Sequence, residues 1–272
     1  MSHPRISVFA RSANGNVGPV RVIEGQATLQ ARTTHDIGID TVRDEIVVPN
    51  PFAEAILFYR GAAKGDEPPV RVIQGPKTMI GYTDNVAVDS VHGEVFAAQF
   101  RTDAVLVFSR DAKGDVPPLR ILRGPKTKLD RPFRVDVDPV NNLLAVTTMQ
   151  GLWIFNRTDN GDVAPRAIIA GPKTGIGGEQ SLIMKPLFYP KGRKIFVAGG
   201  TKYAPSENQG GRIAIWKYED NGDVAPWAVL PSTPVTEFRG TNGSMAIDPE
   251  NKELILVTAG QIYVYHLPEV FD

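Results

Sequence analysis

The sequence of 272 residues contains no cysteine. A chain without cysteine has no disulfide, no thiolate nucleophile and no cysteine-ligated zinc or iron–sulfur site. It also lacks a charge imbalance, because 30 Lys and Arg residues stand against 30 Asp and Glu residues. Zero net charge removes the bulk attraction that draws basic proteins to nucleic acids or anionic membranes. We therefore expect neither a nucleic-acid partner nor a membrane partner.

Long hydrophobic runs are also missing. No window approaches the roughly 18 apolar residues that a membrane-spanning helix needs. The first residues include no apolar stretch of about 7–15 residues, which would form the core of a signal peptide. We expect a soluble cytoplasmic protein, although a secretory leader removed during maturation would leave the same sequence.

Glycine and proline, by contrast, are abundant. The chain has 26 glycines and 22 prolines, well above their average usage of about 7% and 5%. The hydrophobic content of 42% is too high for a disordered chain. These values indicate a folded chain with many turns.

Much of the glycine and proline belongs to one segment that recurs along the chain. Its clearest copy covers residues 110–127, and further copies cover 11–28, 60–78, 157–174 and a stretch that begins at residue 218. The Gly-Asp pairs that begin at residues 65, 114, 161 and 222 are 49, 47 and 61 residues apart. The longer last interval predicts an insertion, which we place in the Gly-rich and polar residues 199–212.

Four short β-branched runs, bounded by Gly, Pro, Asn and Asp, recur in each unit of about 50 residues. This pattern is typical of the four strands of a β-propeller blade. From the channel outwards we name them the inner, second, third and outer strands. Inner strands are predicted at residues 37–40, 86–89, 135–138, 187–189 and 245–248.

The sequence predicts an all-β fold: a single β-propeller domain over residues 1–272, with five four-stranded blades. Six complete blades would need inner strands that the sequence does not contain, so that arrangement is less favoured. The outer strand at 20–23 is expected to complete the blade of residues 244–257, so that N- and C-terminal strands close the ring. Residues 6–9 and 262–265 then compete for one third-strand position. The surplus strand could extend an edge, fray, or pair with another subunit in a homo-oligomer.

Residues 82–89, followed by 94–99 and 104–108, resemble an NHL repeat. The shared pattern is an inner apolar strand that ends in Asp, a second strand and a short apolar third strand. The resemblance covers most of the chain and implies a β-propeller. Similar propellers include lactonases, lyases and protein- or RNA-binding modules, so the resemblance leaves the function open.

Candidate ligand-binding residues lie where the outer-to-inner and second-to-third loops are expected to open around the channel. The starts of the inner strands are polar and mutually different, although the repeat stays regular in its core: Asp36, Asn85, Arg134, Lys185 and Ser244. Asp84 precedes one of them, and the ends of second strands add Asn50, Gln99 and Thr148. The alternative is a solvated channel mouth that tolerates any polar residue.

His35 is the candidate acid–base residue at this face. A hydrogen-bonded structural histidine is the alternative. Oxygen ligands for a divalent cation such as Ca²⁺ could come from Asp36, Asn50, Asn85 and Asp103. Resemblance to metal-dependent lactonase propellers would require such a set.

Asp136 stands out within the inner strands, because the equivalent positions hold Gly38, Ala87, Leu187 and Ala246. A carboxylate at such a position must find a donor or raise its pKa. Arg134, two residues away on the same side of the strand, is the expected partner.

These residues favour a module that binds a small polar molecule or a protein at the channel mouth. The alternative is a metal-dependent lactonase or lyase, with a cation at the mouth and His35 as proton carrier.

Overall fold

The computed structural model describes residues 4–31, 36–83, 85–176, 181–201, 212–230, 244–258 and 261–272. The chain forms an all-β, five-bladed β-propeller, which confirms the predicted fold class. Within these ranges the helical segments are 3₁₀ turns and one short C-terminal helix. None of them is long and apolar enough to cross a bilayer.

The strands of each blade are antiparallel and follow chain order from the channel outwards. The chain starts with β1 (Arg5–Val8) and β2 (Arg21–Glu24). The first blade contains β3 (Gly38–Asp40), β4 (Glu45–Asn50), β5 (Ala55–Arg60) and β6 (Arg71–Gln74). The second contains β7 (Val86–Asp89), β8 (Glu94–Gln99), β9 (Ala104–Ser109) and β10 (Arg120–Arg123).

The third blade contains β11 (Arg134–Asp138), β12 (Leu143–Thr147), β13 (Leu152–Asn156) and β14 (Ala167–Ile169). The fourth contains β15 (Ser181–Tyr189), β16 (Lys194–Thr201), β17 (Arg212–Lys217) and β18 (Ala228–Leu230). The fifth contributes β19 (Ser244–Asp248), β20 (Glu253–Thr258) and β21 (Gln261–His266), and the helix α1 (Pro268–Phe271) follows it.

The aspartate that ends most inner strands closes the turn to the second strand. In the third blade, Asp138 Oδ1 accepts hydrogen bonds from the backbone N–H groups of Val140 (2.8 Å) and Asn141 (3.0 Å). Asp40, Asp89 and Asp248 make the same kind of bond in their own blades. A carboxylate that accepts backbone N–H groups stabilises a tight turn, so the repeated Asp is a structural residue.

The Gly-Asp pair of the repeated segment connects neighbouring blades. Asp115 Oδ1 of the second blade accepts the N–H of Lys77, just after the outer strand of the first (2.7 Å). Gly75, with φ 131°, permits this approach, because a Cβ there would lie 2.6 Å from the Asp115 side chain. Corresponding bonds join Asp66 to Ala27, Asp162 to Lys126 and Asp223 to Lys173. The repeat spacing therefore reflects the joining of one blade to the next.

The hydrophobic core is divided among the junctions between blades. Phe96 and Val107 of the second blade, for example, pack with Val135 and Phe155 of the third. Similar clusters occupy the other junctions, and α1 adds Val270 and Phe271 to the cluster between the fourth and fifth blades. Each blade is thus stabilised mainly by its neighbours.

The two ends of the chain meet at the seam between the fifth and first blades. Ile23 of β2 makes the same parallel bridge to Gly65 that Ile73 makes to Gly114, so β2 holds the outer-strand position next to the first blade. Both copies of the third strand persist there. Residues 6–9 contribute to β1, which pairs with β2, whereas residues 262–265 lie in β21, which pairs with β20.

The inner hairpin of the fourth blade is the longest in the molecule's described part. β15 has 9 residues and β16 has 8, against 3 to 6 in the other blades. The predicted insertion at 199–212 begins inside β16, and residues 202–211 lie outside the described residues. The extra length extends the hairpin on the face where the inner strands begin.

Candidate functional site

The inner strands share one register, which sets the level of the candidate site. The last residue of each inner strand pairs with the first residue of its second strand: Asp40, Asp89, Asp138, Tyr189 and Asp248. Four residues before these pairs lie the predicted positions Asp36, Asn85, Arg134, Lys185 and Ser244. The sequence alignment therefore corresponds to a common level around the ring.

Lys185 reaches this level through a β-bulge. The pairing of β15 with β16 shifts by one residue between Ile183 and Pro186. Proline cannot donate a ladder hydrogen bond and is tolerated at bulges, and a bulge redirects nearby side chains. Lys185 lies in this irregular stretch, and its Nζ contacts a carboxylate of another blade.

Asp36 is that carboxylate, and it forms the centre of the cluster. Lys185 Nζ lies 2.9 Å from Asp36 Oδ2, and both side chains are largely buried, at 13% and 5% exposed. Asn85 Nδ2 donates to the same oxygen, while Oδ1 accepts the N–H of Ile37 at 2.9 Å. The first and fourth blades are not adjacent in the ring, so the ion pair crosses the mouth of the channel.

Asn85 is fully buried and has a fixed orientation. Its Oδ1 accepts the backbone N–H of Val135 in the third blade (2.6 Å), so its Nδ2 faces Asp36. One side chain of the second blade thereby links the first and third blades. The result is a continuous polar network across four of the five blades.

Asp136 extends the network between the third and fourth blades. Its Oδ2 accepts the N–H of Phe188 at 2.7 Å. Burial raises the pKa of Asp136 to about 6, although the charge of Lys185 and the N–H groups of Phe188 and Val137 act to lower it. The expected donor and the expected pKa rise are therefore both present. The pairing with Arg134 stays a prediction.

Arg134 directly precedes Val135 of this network in the chain and is 2% exposed. Its guanidinium carbon lies 4.8 Å from the centre of the Phe133 ring, within the range of a cation–π contact. Two cations, Arg134 and Lys185, and two carboxyl groups, Asp36 and Asp136, therefore lie in this network or next to it in the chain.

Other predicted ligand-binding residues form hydrogen bonds with the backbone of nearby loops. Asn50 Nδ2 donates to the carbonyl of Leu29 (2.8 Å), and Thr148 Oγ1 accepts the N–H of Gln150 (3.1 Å). Gln99 Oε1 accepts the N–H of Gly81 (2.7 Å), whereas its buried Nε2 has no hydrogen-bond partner in the described part of the chain. Ser244 begins β19. His35 and Asp84 lie outside the described residues.

The residues proposed as metal ligands do not fit a divalent cation. Asp103 Oδ1 accepts the N–H of Arg131 at 2.7 Å, and Asn50 is used in its own loop. Asp36 already interacts with the Lys185 ammonium, and Asn85 turns its amide nitrogen, which is no metal ligand, toward it. Within the described ranges, no group of three His, Asp or Glu side chains could hold a metal ion.

The contact between Asp36 and Lys185 was not predicted from the sequence. The sequence indicated only that both residues lie at the same level of the channel. A signal was present in the Lys185-Pro186 pair, because a proline inside a strand marks a bulge. The bond from Phe188 to Asp136 was also missed. It depends on the stagger between two blades, which no local pattern reports.

Comparison with known proteins supports the fold. No protein-family model and no curated protein matches the sequence. A candidate 6-phosphogluconolactonase from Bacteroides uniformis is similar in structure, with a TM-score of 0.59 and 17% identity over 97% of this chain and 73% of that one. Kuenenia stuttgartiensis hydrazine synthase gives 0.56 and 15%, over 89% and 79%.

A structure of a nidogen/laminin complex gives a TM-score of 0.53 at 13% identity, over 86% of this chain and 80% of that one. The names of these proteins refer to unrelated functions. At such low identity the likeness shows the β-propeller fold alone.

Proposed function

We propose that this protein is an NHL-like β-propeller that binds a small polar molecule with an anionic group at the channel mouth. The observation that carries the proposal is the ion pair between Asp36 and Lys185, which crosses the channel and is largely buried. A small molecule suits this place better than a protein partner. A flat protein surface cannot reach side chains that are this deeply buried.

The physical chemistry of buried charges supports a binding role. A buried ion pair contributes little net stability, because desolvation of both ions offsets their attraction. Fixed polar groups in a mostly apolar surrounding are, however, typical of small-molecule sites. Lys185 and Arg134 could bind a carboxylate or phosphate, while Asp36 and Asn85 could bind hydroxyl groups.

Sugar acids are a suitable first class of probe. They combine an anionic group with several hydroxyls, and the similar Bacteroides uniformis protein is named as a 6-phosphogluconolactonase, for the lactone of one such acid. We would measure binding of 6-phosphogluconate, gluconate and inorganic phosphate by isothermal titration calorimetry and thermal shift.

The key variant is Lys185→Met, and the matched control is Lys126→Met, an exposed lysine of the repeated segment. We expect 6-phosphogluconate to bind the wild type and the control alike, and the Lys185 variant at least tenfold more weakly. Equal affinity for all three proteins, or no binding of any probe, would contradict the proposal. Circular dichroism establishes that each variant is folded.

Lactone hydrolysis is a second candidate. It is favoured by Asp136, a partly buried carboxyl group whose pKa is raised to about 6, close to the pH at which a general base operates. Hydrolysis of 6-phosphogluconolactone would be followed in a pH-stat, with and without a chelator. A chelator-insensitive rate that Asp136→Asn abolishes would support this candidate, and a rate equal to the uncatalysed one would remove it.

A further inference from the structure

An Asn-Gly pair occurs at the same place of the repeat in three turns of the molecule. Each pair follows a third strand and precedes an outer strand: Asn14-Gly15, Asn160-Gly161 and Asn221-Gly222. In each pair the glycine has a left-handed backbone, with φ of 72°, 73° and 84°. A fourth pair, Asn242-Gly243, lies outside the described residues. The three described pairs therefore share their sequence and their backbone conformation.

The turns also share the backbone hydrogen bond that comes just before the pair. The N–H of Ala13 donates to the carbonyl of Ala10 at 2.9 Å, and the N–H of Asp159 donates to that of Asn156 at 3.1 Å. All three asparagines of the described pairs are exposed. Neither the local turn nor exposure to water distinguishes one pair from another.

The pair of the third blade is held by the outer strand of the second blade. The N–H of Gly161 donates to the carbonyl of Ile121 at 2.7 Å. Asn160 Oδ1 accepts the N–H of the same residue at 3.0 Å. The backbone nitrogen of the glycine and the side-chain amide of the asparagine are thus both fixed to the neighbouring blade.

The pair of the fourth blade makes the same two bonds, whereas the pair of the β1–β2 loop makes neither. The N–H of Gly222 donates to the carbonyl of Ile168 at 2.7 Å, and Asn221 Oδ1 accepts the N–H of Ile168 at 2.9 Å. Among the described residues, the Asn14 side chain and the Gly15 N–H have no hydrogen-bond partner. The difference between the pairs lies in these two groups.

These two groups are the reactants of asparagine deamidation. The backbone nitrogen of the following residue loses its proton and attacks Cγ of the asparagine side chain, so that a cyclic succinimide forms and ammonia leaves. Water then opens the succinimide at either carbonyl and gives aspartate or isoaspartate. The overall reaction consumes the amide and one water and releases ammonia. Glycine favours the attack, because it has no side chain to restrict the backbone.

We propose that Asn14-Gly15 is a site of spontaneous deamidation, and that the neighbouring outer strand protects the equivalent pairs of the third and fourth blades. At the protected pairs, the glycine nitrogen must leave one hydrogen bond and the asparagine side chain another before the nitrogen can attack. Asn14 and Gly15 have no such bonds to break.

The reaction changes the charge of a segment that contacts another blade. Arg11, three residues before Asn14, lies 2.8 Å from Asp248 and 2.7 Å from Glu253 of the fifth blade. It is the only charged residue among residues 9–20. A carboxylate at position 14 therefore changes the formal charge of this loop from +1 to zero.

The main experiment follows the three pairs in the full chain. The protein is incubated in mildly alkaline buffer and digested at acidic pH, which suppresses further reaction, and each peptide is quantified by liquid chromatography and mass spectrometry. We expect Asn14 to deamidate at least about tenfold faster than Asn160 and Asn221, because two hydrogen bonds must break at each of the latter. Equal rates at the three asparagines would overturn the proposal.

The unfolded chain is the control for the effect of flanking sequence. In concentrated urea the hydrogen bonds to Ile121 and Ile168 are lost, so Asn160 and Asn221 should deamidate about as fast as Asn14. A tenfold difference that persists in urea would mean that the flanking residues set the rates. That result would overturn protection by the neighbouring strand.

Two substitutions in the loop test the assignment by charge. Asn14→Gln should prevent the early acidic form that ion-exchange chromatography detects, because the longer side chain closes a less favourable ring. The matched control is Asn16→Gln, in the same exposed loop but followed by Val17, and it should leave the acidic form unchanged. An early acidic form that persists in Asn14→Gln would place the reaction at another residue and overturn the assignment.

Discussion

The same kind of arginine–carboxylate ion pair occurs in two places, at the junction between the second and third blades and at the seam beside the fifth blade. Its surroundings differ between the two. At the junction, the Arg157 side chain is 10% exposed and its carboxylate partners are buried. At the seam, the Arg11 side chain makes the corresponding ion pairs but is 60% exposed. The repeat thus reproduces the geometry of the ion pairs, whereas the burial of the arginine differs between the two places.

This difference implies that stability is unevenly distributed around the ring. Apolar area removed from water is the main source of folding free energy, at about 25 cal/mol per Å². Regions with few buried apolar contacts open first. We therefore expect the seam to exchange and to unfold locally before the closed junctions.

The largest expected contrast comes from one substitution made at two equivalent positions. Ile56 is fully buried in the first blade, and Ile262 holds the same register position in the fifth. Ile56→Ala should lower the free energy of unfolding by about 3 kcal/mol, because it leaves a cavity. Ile262→Ala should cost less than about 1 kcal/mol, because its side chain is half exposed. Urea denaturation measures both, and equal losses would show that the seam is closed in solution.

A second contrast concerns a carboxyl group on the inner strands. Asp136 lies at a closed junction, and burial raises its pKa to about 6 from 3.8. The folded state therefore binds more protons than the unfolded state between about pH 4 and pH 6, so stability falls as the pH rises through this window. The loss is about 2–3 kcal/mol, at roughly 1.4 kcal/mol for each pKa unit, and Asp136→Asn should remove it.

The control for this prediction is Ala246→Asp, which places a carboxyl group at the equivalent position of the fifth blade. Ala246 is exposed beside the seam, so the new carboxyl group should keep an ordinary pKa and add no such pH dependence. Urea titrations between about pH 3.5 and 7, which span the window between the two pKa values, measure both variants. Parallel curves for the wild type and Asp136→Asn would contradict the pKa assignment.

Much of the fold could be predicted from the sequence, because its determinants are local and repeated. Asp40, Asp89 and Asp138 mark the ends of inner strands and close their turns. The Gly-Asp pairs mark the joints between blades. Their spacing indicated the length of each repeat, and the alignment of the inner strands on their last residues placed Asp36 and Lys185 at one level.

The remaining features depend on contacts between distant parts of the chain. The bond of Asp36 to Lys185 requires the first and fourth blades to face each other across the channel. The same holds for the seam between the fifth and first blades. Counting strands indicated that either residues 6–9 or residues 262–265 were surplus, but the contact of the N-terminal hairpin with the fifth blade is shown only by the ion pairs of Arg11 with Asp248 and Glu253.

A third contrast removes the arginine of these ion pairs, once at the junction and once at the seam. Arg157→Met should cost about 2 kcal/mol, because hydrogen bonds to buried charges are lost. Burial acts to raise the pKa of Glu94, but Arg120 and Arg157 hold it below its ordinary value. Arg11→Met should leave the stability unchanged within error, since exposed ion pairs contribute little. Urea denaturation measures both losses of unfolding free energy. Similar losses at the two sites would mean that the seam excludes water as well as the junction does.

The smallest expected effect tests the exposed face directly. Val264 and Val107 hold the same position in the fifth and second blades, with 53% and 1% of the residue exposed. Val107→Thr places a hydroxyl in the core and should cost about 1–3 kcal/mol. Val264→Thr should change the free energy of unfolding by less than about 0.5 kcal/mol, as expected of surface positions. It should also reduce binding of the dye ANS, which reports exposed apolar surface. If Val264→Thr destabilises the protein as much as Val107→Thr, the face of β21 is covered in the isolated chain.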